Sequence, residues 1–150
     1  MFIVRAAVPE DEEGIFKLAR QFPTPTPPSQ KNFSDCYRIR VVDPASYIGL
    51  AEMEDAVVGY VSGYSHTAFY ANGRTAWLDE IFVEQAFRRK GVGAALLHAF
   101  ERWAKQMDCV LVSLATAGSG PFYIRAGYRT SAAYYKKYFT ESIHLQPSGG

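Results

Sequence analysis

Between Trp77 and Ala94 the chain sets two adjacent acids, Asp79 and Glu80, in an apolar stretch, then a basic turn, Arg88-Arg89-Lys90, then Gly91-Val92-Gly93 at the head of a helix-forming run. These residue types in this order suit the binding of an anion. Glycine lets the backbone come close to a ligand, and the first N–H groups of a helix have no internal partner, so several donors are aimed at one point. The helix dipole adds to them. Two common phosphate loops do not fit the spelling: a P-loop needs Gly-Lys-Ser/Thr, and a dinucleotide fingerprint needs a third glycine where Leu96 stands. Any phosphates bound here belong to a different kind of ligand.

The elements that must position this stretch can be read from the rest of the chain. With 150 residues, 48% of them hydrophobic, the sequence suits one domain with a substantial core. The net charge is +1, so the basic turn is a local feature, and a nucleic-acid footprint is not expected. Cys36 and Cys109 are not spaced as a zinc or redox pair, and His66, His98 and His144 form no ligand spacing, so no metal is expected. The N-terminus lacks a basic start followed by a long apolar core, and no stretch approaches the ~20 apolar residues of a membrane span. A cytoplasmic protein without membrane contact is the expectation.

In chain order, Phe2 to Val8 predicts a first strand, and the acids Glu10 to Glu13 open a helix of about three turns with Ile15, Phe16, Leu18 and Ala19 on its apolar stripe. Four prolines between Pro23 and Ser29 make a stiff loop, which leads to a less defined helix around Phe33 to Val41. Tyr47 to Met53 and Val57 to Tyr64 predict a hairpin across Glu54-Asp55-Ala56, and Asn72-Gly73 a second turn into a strand from Thr75. The helix after Gly93 carries Leu96, Leu97, Phe100, Trp103 and Met107 at helical spacing and ends near Asp108. Val110 to Leu114 is nearly all apolar, the pattern of a strand covered on both faces, and completes a strand–helix–strand crossover. Pro121 opens a short helix that Gly127 ends, and Tyr128 to Phe139 predicts two short strands. One domain over 1–145 is expected, with 146–150 a disordered tail.

At this point the sequence resembles the GNAT superfamily of N-acetyltransferases over most of its length, from Ile3 to about Phe139. The superfamily's phosphate loop, Q/R-x-x-G-x-G/A, stands here as Arg88-Arg89-Lys90-Gly91-Val92-Gly93 after the strand Leu78 to Val83, and a short helix ending Tyr-x-x-x-Gly-aromatic is met by Tyr123, Gly127 and Tyr128. The two motifs stand in the family's order, one helix and one strand apart. The resemblance implies an α/β (α+β) fold: a single GNAT-like domain with a central mixed, mostly antiparallel sheet, a parallel pair at the acyl-CoA cleft and about four flanking helices. It implies acetyl-CoA or a related acyl-CoA as cosubstrate. The pyrophosphate would lie on Arg88, Arg89, Lys90, Gly91, Val92, Gly93 and Ala94, the pantetheine along Ile81, Phe82 and Val83, and Thr116, Ser119 and Phe122 would also contact the cofactor. Thr116 departs from the pattern, since many members carry Asn there, and Arg89 stands where glycine is frequent.

Amide formation from a thioester needs a neutral amine, a site for the oxyanion and a proton for the departing thiolate. An alkyl ammonium has a pKa near ~10.4, so a carboxylate must take its proton. Glu80 is the preferred base with Asp79 second, on the reasoning that neighbours in a strand point to opposite faces and only one can face the amine. Tyr123, a phenol, suits the acid that protonates the thiolate. The expected function is N-acetylation of a primary amine by direct attack in a ternary complex, since no cysteine is placed for a covalent intermediate. The alternative is a non-catalytic acyl-CoA sensor or interaction module of the same fold. The acceptor is unread, with the Pro23 to Ser29 loop and Tyr134 to Tyr138 as places for it, and a homodimer is left open.

Overall fold

A computed structural model describes residues 1–140. Five strands form one sheet in the order β1-β2-β3-β4-β5: β1 Ile3–Ala6, β2 Ser46–Met53, β3 Ala56–Ala68, β4 Gly73–Val83 and β5 Cys109–Leu114. The first four are antiparallel neighbours, and β5 lies parallel to β4. Four helices accompany them: α1 Glu12–Ala19, α2 Gln30–Arg40, α3 Val92–Gln106 and α4 Gly120–Arg125. This is the expected mixed, mostly antiparallel α+β fold.

The sheet separates two apolar layers. On one face α3 lays Val92, Leu96, Leu97, Phe100 and Ala104 against Ala51, Val61, Ala76 and Leu78. On the other, Ile15, Leu18 and Ala19 of α1 and Tyr37 of α2 cover Leu50, Tyr60 and Phe82. The helical spacing of the apolar residues and the period-two alternation of the strands meet in these layers. Arg5 ties one end of the sheet together. Its guanidinium donates to both Asp11 oxygens at 2.8 Å and to Glu52 at 2.9 Å, joining β1, the turn Pro9–Asp11 and β2. Those donors hold the Asp11 carboxyl below its usual range.

The less defined helix of the sequence is α2, which begins earlier than expected because the Ser29 hydroxyl caps it by accepting from the Asn32 N–H at 3.2 Å. The first helix is shorter than three turns, since Pro9–Asp11 forms a separate 3-10 turn before it. The second hairpin is longer than the sequence suggests, with β3 and β4 paired out to Ala68 and Gly73 around a left-handed Asn72.

Two expectations are corrected. The strand after α3 is not covered on both faces: the neighbours Val110 and Leu111, which point to opposite faces, are 60% and 36% exposed, and β5 is an edge of the sheet among the described residues. A continuous apolar run describes a strand's composition and leaves its place in the sheet open. Residues 128–140 contain no strand. Their tyrosines favour extended structure, but β-propensity is realised only when a neighbouring strand supplies hydrogen bonds, and none lies beside them among the described residues. Residues 141–150, which include the expected tail, fall outside the described residues.

Candidate active site

The β3–β4 register carries the geometry of the site. Gly63 pairs with Leu78 while Ser62 pairs with Glu80, so Asp79 is an extra residue in β4, a β-bulge. Leu78 points into the α3 layer. Asp79 follows it on the opposite face, and Glu80, opposite Ser62, lies on that same face. The partners agree: Glu80 Oε1 accepts from the Tyr60 hydroxyl at 2.6 Å, and Asp79 Oδ2 accepts from Arg40 Nη1 of α2 at 2.9 Å. The expectation that strand alternation admits only one of the two acids is therefore overturned. The bulge turns both toward the side of α1 and α2.

Burial raises both carboxyls above their usual range. For Asp79 the charge and hydrogen bonds of Arg40 oppose that rise; for Glu80 the Tyr60 hydrogen bond opposes it and the Asp79 charge adds to it. Tyr60 is itself pushed well above an ordinary phenol, by burial first and then by the Glu80 charge. Arg40 also donates to Ser46 Oγ at 3.1 Å and to the Gly63 carbonyl at 2.8 Å, which fixes it against the bulge. The sequence pointed to neither Arg40 nor Tyr60 as a partner of these acids. The one local signal was Gly63, a glycine within a β-rich run, which often marks a bulge or a close backbone approach.

A second feature lies on the other edge of β4. Its pairing with β5 ends at Leu78↔Leu114, whereas β4 continues to Val83. From Asp79 to Val83 the edge facing β5 has no strand neighbour among the described residues, leaving main-chain groups around Ile81, Phe82 and Val83 open to an extended ligand. The Val83 carbonyl is an exception, since it accepts from Arg88 Nε at 2.8 Å.

The basic turn follows at once. Arg89 and Gly91 are left-handed, with φ of +64° and +83°, and Gly91 caps α3 without any side-chain hydrogen bond. Left-handed residues alternating with ordinary ones curl successive N–H groups into an anion-sized concavity, and the uncapped start of the 15-residue α3 opens onto it. The left-handed region suits glycine, the residue that the resemblance leads one to expect at position 89; here arginine takes that conformation. Arg88, though exposed, is folded back onto the end of β4. Its guanidinium lies over the Phe82 ring, 5.4 Å from the centroid, and Lys90 similarly approaches Phe87 at 5.8 Å. The anion-binding capacity of the turn rests on main-chain N–H groups more than on these side chains.

Helix α4 closes the third side. A Cβ on Gly93 would lie 3.7 Å from the Phe122 ring, so the head of α3 and the start of α4 are in contact. Tyr123 is buried between Phe122 and Tyr128, with centroids at 5.0 and 5.7 Å, and Tyr128 is pinned to α3 by donating to Glu101 at 2.8 Å. Burial raises the Tyr123 phenol, which keeps it protonated at neutral pH. Thr116 Oγ1 accepts from the Ser119 N–H at 3.1 Å, and the Ser119 carbonyl accepts from Phe122 and Tyr123, so these two residues shape the turn into α4.

The model of the acetyltransferase (GNAT) family matches residues 12–128. No curated protein matches the chain in sequence. Among solved structures it is similar to a glucosamine-6-phosphate N-acetyltransferase from Arabidopsis thaliana, at TM-score 0.81 and 22% identity over 93% of this chain and 99% of that one. A transcriptional regulator from Bacillus halodurans C-125 gives 0.81 and 20%, covering 93% and 100%. An aminoglycoside N-acetyltransferase in complex with CoA gives 0.76 and 17%, covering 93% and 96%. At these identities the likeness concerns the fold.

Proposed function

The chain belongs to the acetyltransferase (GNAT) family of acyl-CoA-dependent enzymes, and from that premise we propose that it acetylates a primary amine by direct attack within a ternary complex. The observation that carries this reading is the junction of an unpaired β4 edge with an uncapped α3 N-terminus. An extended amide chain fits the first and a pyrophosphate the second. Acetyl-CoA, when bound, supplies an activated carbonyl and a thiolate leaving group.

The residues then divide the work. Main-chain N–H groups of Arg89 to Ala94 hold the phosphates, and those along Ile81 to Val83 hold the cofactor arm and the carbonyl oxygen as it gains charge. Thr116, Ser119 and Phe122 form the opposite wall. Glu80 takes the proton from the acceptor ammonium, directly or through one water. It is the better base of the pair because Asp79 is held by Arg40, while one Glu80 oxygen has no protein partner among the described residues. Its raised pKa also brings it closer to working pH, where a general base is most effective. Asp79 keeps Arg40 in place against the bulge. Tyr123 donates its phenolic proton to the departing sulfur, and the second proton that the nitrogen sheds as the amide forms restores the phenol through solvent.

The test is CoA release over a broad amine panel, with Glu80→Gln and Tyr123→Phe beside the parent. Each variant is expected to lose about 10²- to 10⁴-fold in kcat while still binding acetyl-CoA. Unchanged kcat in either variant removes the role given to that residue. Tight acetyl-CoA binding with no turnover of any amine identifies a sensor of the same fold.

A further inference from the structure

The sheet face that presents Asp79 and Glu80 continues beyond them, and there no helix among the described residues shields it. The layer under α1 and α2 ends at Tyr60 and Phe82. Further along, Tyr64 stands opposite Trp77 and His66 opposite Thr75 in the β3–β4 register, so all four side chains share the face of the two acids. Tyr64 and His66 stack at 5.6 Å and 26°, and Tyr64 remains 39% exposed. The Trp77 indole stacks at 5.7 Å and 17° with Tyr134, which comes from the segment after α4 that has no regular structure. Between these pairs Thr75 is only 2% exposed, and its hydroxyl has no hydrogen-bond partner among the described residues. Burying an unpartnered hydroxyl costs free energy, which a ligand able to reach it would recover.

We propose, on the reading of the site as an amine acetyltransferase, that this aromatic ledge selects the acceptor and that the acceptor is an arylalkylamine, its ring packed on Trp77 and Tyr64 and its amine at Glu80. The spacing fits. Glu80 and Trp77 stand opposite Ser62 and Tyr64, which are two residues apart on β3, ~6.6 Å at ordinary strand rise, the reach of an amine two or three carbons from a flat ring. The charges fit as well. Beside the acids this face holds aromatic rings, an imidazole and a hydroxyl, and Arg40 already neutralises Asp79. An ammonium has one free carboxylate to meet, and a polycation finds no second one. Tyr134 covers the indole from a segment without strand hydrogen bonds, so it can give way to a substrate ring or close over it.

The experiment measures kcat/KM by CoA release on the full chain with 2-phenylethylamine, tryptamine, n-butylamine and spermidine, for the parent, Tyr134→Ala and Trp77→Leu. The parent is expected to favour the arylalkylamines over n-butylamine by about tenfold or more, the worth of one good aromatic contact. Both variants should lose that preference through a higher KM for the arylalkylamines relative to n-butylamine. Tyr134→Ala alters an exposed side chain, so its result stands even if Trp77→Leu folds poorly. Preference for spermidine, equal use of n-butylamine, or variants that depress all four amines alike would refute the ledge alone and leave amine acetylation intact. No turnover of any amine with acetyl-CoA bound would refute the ledge together with the reading it rests on.

Discussion

Replacing Gly63 by alanine tests whether the bulge is held by close packing. A Cβ at this position would meet the Trp77 carbonyl and the edge of the Phe100 ring, both nearer than the 3.0 Å that real Cβ atoms respect. Phe100 is fully buried in the α3 layer, and the Trp77 carbonyl is main chain at the start of the bulge, so neither moves freely. Overpacking of this kind costs typically ~1–3 kcal/mol, and with one rigid neighbour on each side the upper part of that range applies. Alanine recovers about 0.4–1 kcal/mol by restricting the unfolded chain. The net loss is about 2 kcal/mol, equivalent to a fall in Tm of roughly 4–8 °C for a domain of this size. The Gly63 carbonyl also accepts from Arg40, so a shifted β3 should loosen the Arg40–Asp79 pair and lower kcat beyond the thermal effect. Thermal unfolding by circular dichroism, with CoA release assayed well below Tm, reads both. A Tm within about a degree of the parent would refute the close-packed bulge and the placement of both acids that depends on it.

Two further outcomes follow from the site. In Tyr60→Phe, Glu80 loses the hydrogen bond that opposes its upward shift, so the acid limb of kcat/KM should move to higher pH. Because folded Glu80 keeps its proton to higher pH than the unfolded chain does, stability falls as pH rises from the ordinary carboxylate value through the raised one. That decline should extend further upward in the variant, and a limb that stays in place or moves down removes Tyr60 from the base's environment. In Gly91→Asp, no atom of the described residues lies within 4 Å to obstruct the side chain, and Asp tolerates the left-handed region better than most residues. The fold should persist while acetyl-CoA affinity falls at least about tenfold from a carboxylate at the mouth of the N–H cluster. Gly91→Asn keeps the shape without the charge and should stay near the parent; equal calorimetric affinities for all three would overturn the phosphate position.

The parts of the molecule legible in the sequence are those set by neighbours along the chain. Arg88 to Gly93 announces itself because glycines and a helix start sit side by side, and α4 because Pro121 opens it and Gly127, at φ +96°, ends it. The acids were found but their directions were misjudged, because the bulge arises from the register between β3 and β4. Arg40 is 39 residues from Asp79, and nothing near either residue encodes the pairing. The tyrosines of 128–140 and the apolar run of β5 misled in a related way. Both report what a strand prefers, and neither reports whether a neighbour is present.

The extra residue in β4 also acts as a change of parity along the strand. Before it, the even positions Ala76 and Leu78 face α3; after it, the odd positions Ile81 and Val83 do. Each half of β4 is therefore in phase with its own layer, and the two phases are reconciled only at Asp79. A one-residue deletion elsewhere in the strand would turn half of its apolar side chains toward the wrong layer. Removing Asp79 itself would leave both halves in phase, so the fold can tolerate a length change at the one position where it would cost Arg40 its carboxylate partner.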